Sequence, residues 1–109
     1  MNALKDEWLP AVDREFEALL NRTRDMGANA GDLFCIFEKA VRKGVRDFGP
    51  SSAVCGSGAL YVRYEGQVLM CFAVCGKRIA IVKWAELGSE AQQRRELDDA
   101  KARATQLFS

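Results

Sequence analysis

Histidine is missing from this chain of 109 residues. Its absence excludes, within one chain, Ser-His-Asp and Cys-His catalysis, imidazole metal ligands and imidazole pH switches. No apolar run approaches the roughly 18 residues that span a bilayer, and Met1 to Trp8 lack the basic-then-apolar order of a secretory signal. A cytoplasmic location with no membrane partner is the expectation. Charge of one sign is lacking too, since 16 basic and 15 acidic residues leave +1. Global charge therefore gives no argument for nucleic acid, anionic lipid or a polyanion. Four cysteines without a signal peptide read as reduced thiols rather than a disulfide framework. The length suits a single domain over residues 1–109 with one core.

What is present is organised around residues 59 to 84. This stretch predicts three antiparallel strands, about 59–64, 67–75 and 78–84, joined by two-residue turns at Glu65-Gly66 and Gly76-Lys77. Counting outward from the turns sets Tyr64 opposite Gln67, Val62 opposite Leu69, Cys75 opposite Arg78 and Cys71 opposite Val82. Because strand side chains alternate, Leu60, Val62, Leu69, Cys71, Ala73, Ala80, Val82 and Trp84 share one face. Tyr61, Arg63, Val68, Met70, Phe72, Val74, Ile79, Ile81 and Lys83 share the other. The middle strand is apolar on both sides, so both faces need a cover.

Apolar residues at helical spacing predict a first helix over about 6–26 and a second over about 30–48. Gly27 and Asn29 end the first, and Gly49-Pro50 stops the second. Gly44 falls on the apolar face of the second helix, where it would let another backbone approach. Ser89-Glu90-Ala91-Gln92 has the form of a capping box and opens a third helix over about 89–108. The expected fold is α+β in two layers: a three-stranded antiparallel sheet with three amphipathic helices, order α-α-β-β-β-α. All helices are placed on the small-grained Leu60/Leu69/Val82 face.

That placement leaves Tyr61, Arg63, Met70, Phe72, Ile79, Ile81 and Lys83 as an apolar patch with a charged rim, the anatomy of a protein interface. A homodimer through this face, or capture of a different protein, is the expectation, and Phe72→Asp should then break assembly and leave the fold intact. No catalytic constellation is found. The function expected is a small non-enzymatic interaction protein: an inhibitor, an immunity or anti-defence protein, or a chaperone of a protein partner.

The alternative is a nucleic-acid-binding regulator using Lys39, Arg42, Lys43 and Arg46, which line the polar side of the second helix. No cofactor or metal is expected. Cys71 and Cys75 lie on one strand roughly 13 Å apart, too far to share a metal or form a disulfide. Cys35, near Lys39 and Arg42, and Cys55, in the Val-Cys-Gly-Ser-Gly connection, are the candidate reactive thiols.

From residue 31 onward the order helix, three strands, helix resembles a double-stranded RNA-binding domain. That family places a basic pair at the start of its last helix and a Gly-Pro-His-type loop between its first strands. Here Asp98-Asp99 precede Ala100-Lys101, the first turn is Glu65-Gly66 and there is no histidine. The resemblance is one of order alone and assigns no residue a role.

Overall fold

The computed structural model describes residues 4–54 and 58–109, the side chain of Ala53 excepted. Its elements run β1 (Lys5–Trp8), α1 (Pro10–Leu20), α2 (Arg24–Lys43), β2 (Ser52–Ala53), β3 (Ala59–Glu65), β4 (Val68–Cys75), β5 (Arg78–Glu86) and α3 (Glu90–Phe108). The fold is α+β, as expected. The sheet is mixed rather than wholly antiparallel, with spatial order β1-β5-β4-β3-β2, and β1 runs parallel to β5. Strand β2 adds only two residues at the far edge.

Strand β1 carries little signal in sequence because it is four residues long and mostly charged. Long-range pairing creates it. The Lys5 N–H donates to the Lys77 carbonyl at 2.9 Å, the Leu4 N–H to Val41 at 2.7 Å, and Glu7 holds Arg78 in an ion pair at 2.6 Å. Pro10 sits at the start of α1 and keeps Leu9 extended, so the helix begins there and not at residue 6.

The first helix also ends early. Thr23 is extended and its Oγ1 accepts from the Met26 N–H at 3.1 Å, opening α2 at Arg24. Gly27 is thus inside α2, in van der Waals reach of the Leu20 backbone at the end of α1, rather than at the end of the first helix. At the other end Gly44 is a cap with φ +84°, not an interior residue, and α2 stops five residues short of the Gly-Pro pair.

Both hairpins form, the second turn at Gly76-Lys77 as expected and the first one residue later than expected, with Gly66 (φ +59°) and Gly76 (φ +60°) at the first central positions, as type II′ turns require. The first loop is Gly66-Gln67, so Glu65 faces Val68 and Tyr64 faces Leu69. That is a two-residue shift from the counted register, and an even shift leaves every side chain on its face. In the second hairpin Ala73 faces Ala80 and Phe72 faces Ile81, but Cys71 faces Lys83, which makes Val82 an extra residue in β5. The bulge reverses alternation beyond it. Trp84 moves to the Met70 face and Lys83 to the Cys71 face, the opposite of the simple count.

Helices cover both faces, giving three layers where two were expected. On one side α1 and α2 bring Val12, Leu19, Met26, Leu33 and Phe37 onto Tyr61, Val68, Met70, Phe72, Ile79, Ile81 and Trp84. On the other, α3 lays Ala100 and Ala104 on Leu60, Leu69, Cys71, Ala73, Ala80 and Val82. The face expected to be free for a partner is therefore interior. Met70, Phe72, Ile79 and Ile81 are fully buried and Tyr61 nearly so.

Candidate functional site

With the sheet enclosed, exposed chemistry lies on the helices and at the sheet edges. Lys39, Arg42 and Lys43 project from the last turns of α2, and Arg46 from the turn beyond Gly44. All four are exposed, and none makes an ion pair among the described residues. Cations at a helix C-terminus complement its dipole, which accounts for Arg42 and Lys43 in structural terms. It does not account for Arg46, which lies outside the helix.

Three of the cations, Lys39, Lys43 and Arg46, meet at a cleft of about 240 Å³ whose other walls are Ile36, Gly44, Asp47 and Phe48. Arg42 points to a neighbouring cleft with Asp6 and Glu38 on its walls. Arg63 reaches the same turn from β3. Its guanidinium lies 5.2 Å from the centre of the Phe48 ring, donates to the Phe48 carbonyl, and donates to the Val62 carbonyl at 2.7 Å. These contacts fix the turn through a cation–π contact and hydrogen bonds. Arg63 is thus not a rim residue of a free face but a tie between β3 and the turn after α2. Phe48 also packs edge-on against Tyr61 and Phe72, at 6.2 and 5.6 Å between ring centres, so the cleft has one wall continuous with the core. Sequence phase found the four cations; the contribution of Phe48 and Arg63 depends on pairing that sequence does not display.

The second concentration of charge surrounds one buried cation with half-buried partners. Lys83, only 7% exposed, lies 2.7 Å from Asp99, 3.2 Å from Glu96 and 3.3 Å from Glu15. Arg103 grips both carboxylate oxygens of Glu15 at 2.9 Å, lies 3.2 Å from Asp99, and donates to the Val82 carbonyl at 2.9 Å. Glu15 in turn accepts from the Trp84 N–H at 3.2 Å. Strand β1 ends at Trp8, opposite Ile81, so β5 beyond that point has no neighbouring strand on this side. Glu15 from α1 and Arg103 from α3 satisfy backbone groups there, and close an edge that would otherwise invite pairing.

The protonation chemistry of this cluster follows from its geometry. Burial alone would lower the Lys83 pKa, but the hydrogen bond to Asp99 and the pull of Glu15 and Glu96 outweigh it and raise it. The hydrogen bond from Lys83 holds the Asp99 carboxyl below the usual aspartate range. Hydrogen bonding to Glu15 raises Arg103. Cys71, across the strand from Lys83, is pushed up to about 12 by burial and is an inert thiol at neutral pH.

Of the other cysteines, Cys35 is exposed on α2 and Cys75 half-buried, while Cys55 lies outside the described residues. No group of three or more His, Cys, Asp or Glu is arranged to hold a metal among the described residues. No helix of the described residues is long and apolar enough to cross a membrane. Compared with known protein families, curated proteins and solved structures, the chain matches none.

Proposed function

We propose that this is a small non-enzymatic binding domain that takes a nucleic acid on the surface formed by Lys39, Arg42, Lys43 and Arg46. One observation carries the reading: four exposed cations fall within eight residues that contain no carboxylate, and none of them is neutralised by an ion pair among the described residues. Arg22, Arg78, Lys83 and Arg103 are held in ion pairs, and the other unpaired cations stand near carboxylates in sequence or apart from one another; it is the carboxylate-free run of four that sets this surface apart. A run of unpaired cations is what releases counterions when phosphates bind. The anchoring of the adjoining turn by Arg63 and Phe48 supports a preformed surface.

A protein-binding homodimer through Met70, Phe72 and Ile81 loses the surface that suggested it, because those side chains are core. The inhibitor or chaperone reading is accordingly not the one advanced.

The test is oligonucleotide binding by fluorescence anisotropy at about 50 mM salt, with duplex and single strand in parallel. Wild type should bind, and affinity should fall steeply as salt rises. Arg42→Glu with Lys43→Glu should weaken binding by about tenfold or more and flatten the salt slope. It should leave the chain folded, with stability from urea denaturation lower by about 1–2 kcal/mol because two carboxylates then face the negative end of the α2 dipole. Absence of wild-type binding to either oligonucleotide, or equal binding by the double variant, would remove the proposal.

A further inference from the structure

The helix that covers the second sheet face is attached in an unusual way. Along its whole length α3 is held by polar contacts to β5 and its surroundings. Gln92 donates to the Glu86 carbonyl at 3.2 Å, Glu96 and Asp99 take Lys83, Arg103 takes Val82 and Glu15, and Arg78 donates to the Leu107 carbonyl at 3.2 Å. Its fully buried side chains are two alanines, whereas α2 buries Met26, Ala30, Leu33, Phe37 and Ala40. Alanines give little apolar area to remove from water, and the larger Leu97, Leu107 and Phe108 of α3 pack on this face only partly buried. Ion pairs taken out of water roughly break even, because desolvation offsets the attraction. Neither term holds α3 strongly. A short Leu87-Gly88-Ser89 linker joins it to β5.

We infer that α3 is a displaceable cover, clamped at the β5 edge by Glu15, Lys83, Glu96, Asp99 and Arg103, which undocks as a unit while β1, α1, α2 and the sheet stay folded. Undocking hydrates the clamp and uncovers Leu60, Leu69, Cys71, Ala73, Ala80 and Val82. The clamp gives the opening its sensitivity. Removing one partner leaves buried Lys83 and the half-buried charges around it out of balance, so a single substitution shifts the equilibrium more than its lost contact area suggests. This inference is independent of the nucleic-acid reading, since it concerns the opposite side of the sheet from α2.

Cys71 is a built-in reporter, because it lies under α3 with no exposed surface and is unreactive until uncovered. The experiment uses the full chain with Cys35→Ser, Cys55→Ser and Cys75→Ser, so that only Cys71 reacts with a small thiol reagent. The labelling rate is compared with that set by global unfolding from urea denaturation.

The expected result is labelling at least about tenfold faster than global unfolding allows, and insensitive to low urea. Arg103→Met should accelerate it by about 10- to 100-fold. Phe37→Leu, on the other face, should lower global stability yet leave Cys71 labelling within about twofold. Labelling that tracks global stability in wild type and in Phe37→Leu would overturn the inference. Those two arms decide the question even if Arg103→Met does not fold.

Discussion

The two faces of the sheet are covered by different physics. Eight of the ten aromatic residues pack on the α1/α2 side, in a continuous run from Trp8 through Phe16, Phe34 and Phe37 to Phe48, Tyr61, Phe72 and Trp84. Ring centres lie 4.7 Å apart for Phe16 and Trp84 and 5.2 Å for the stacked Tyr61 and Phe72. That side gains area burial and ring contacts together. The α3 side is lined by alanine, leucine, valine and cysteine and closed by charge. The first is insensitive to ionisation and cooperative with global folding; the second depends on a few groups at one edge. A three-layer fold of this kind can be tight on one side and yielding on the other.

The largest effect that separates the faces is expected at Phe72. Phe72→Ala should cost about 3–5 kcal/mol by urea denaturation, through lost transfer energy and a cavity. Phe72→Asp should fail to fold, because it places a carboxylate in a fully buried site among apolar side chains. A loss below about 1.5 kcal/mol for Phe72→Ala would mean that the aromatic face is not the principal core.

A smaller effect belongs to pH and should fall on the α3 side. Asp99 has a folded pKa below its unfolded one, so its contribution is present above the usual aspartate value of about 4 and is lost as pH falls through the folded value. Lys83 has a folded pKa above its unfolded one. Its contribution is therefore present below about 10.4 and is lost as pH rises through the folded value. Stability should plateau between those limits. The acid loss from this pair should be modest, roughly 1 kcal/mol, because the Asp99 side chain is 45% exposed and partly screened. Cys71 labelling should accelerate on the acid limb after correction for thiolate fraction. An acid limb unchanged by Asp99→Asn would show that Asp99 contributes nothing to the clamp.

Much of this architecture is legible in sequence, and the failures have particular causes. Period-two alternation sorted β3 and β4 onto their faces despite a two-residue error in the first turn, because an even slip is silent. The bulge at Val82 is invisible, since Arg-Ile-Ala-Ile-Val-Lys-Trp alternates acceptably without it. It alone turned Lys83 from a rim residue into the centre of a buried cluster. Side-chain size does not distinguish a covered face from a free one, because helices pack on the small-grained face and on the large-grained face alike. Pro10 and Thr23 carried local boundary signals that outweigh hydrophobic spacing, while β1 exists only because β5 offers it an edge. The four basic residues follow from helical phase. Their association with Phe48 and Arg63 spans 15 residues of chain and follows from β3 passing the turn after α2.

The finest comparison uses the same device on each side. Thr23 caps α2 through Met26 at 3.1 Å, and Ser89 caps α3 through Gln92 at 3.2 Å. Replacing either by alanine removes one acceptor from a helix start and should cost about 0.5–1 kcal/mol, with exposed Ser89 at the low end. Both variants should lower the urea midpoint, because both helices unfold in the global transition. Only Ser89→Ala should speed Cys71 labelling, by about twofold to fivefold, because only the α3 cap is broken when that helix undocks and frays. Thr23→Ala should leave the labelling rate where it was. Equal acceleration by the two variants would mean that the faces open together and that the difference in their chemistry has no counterpart in their dynamics.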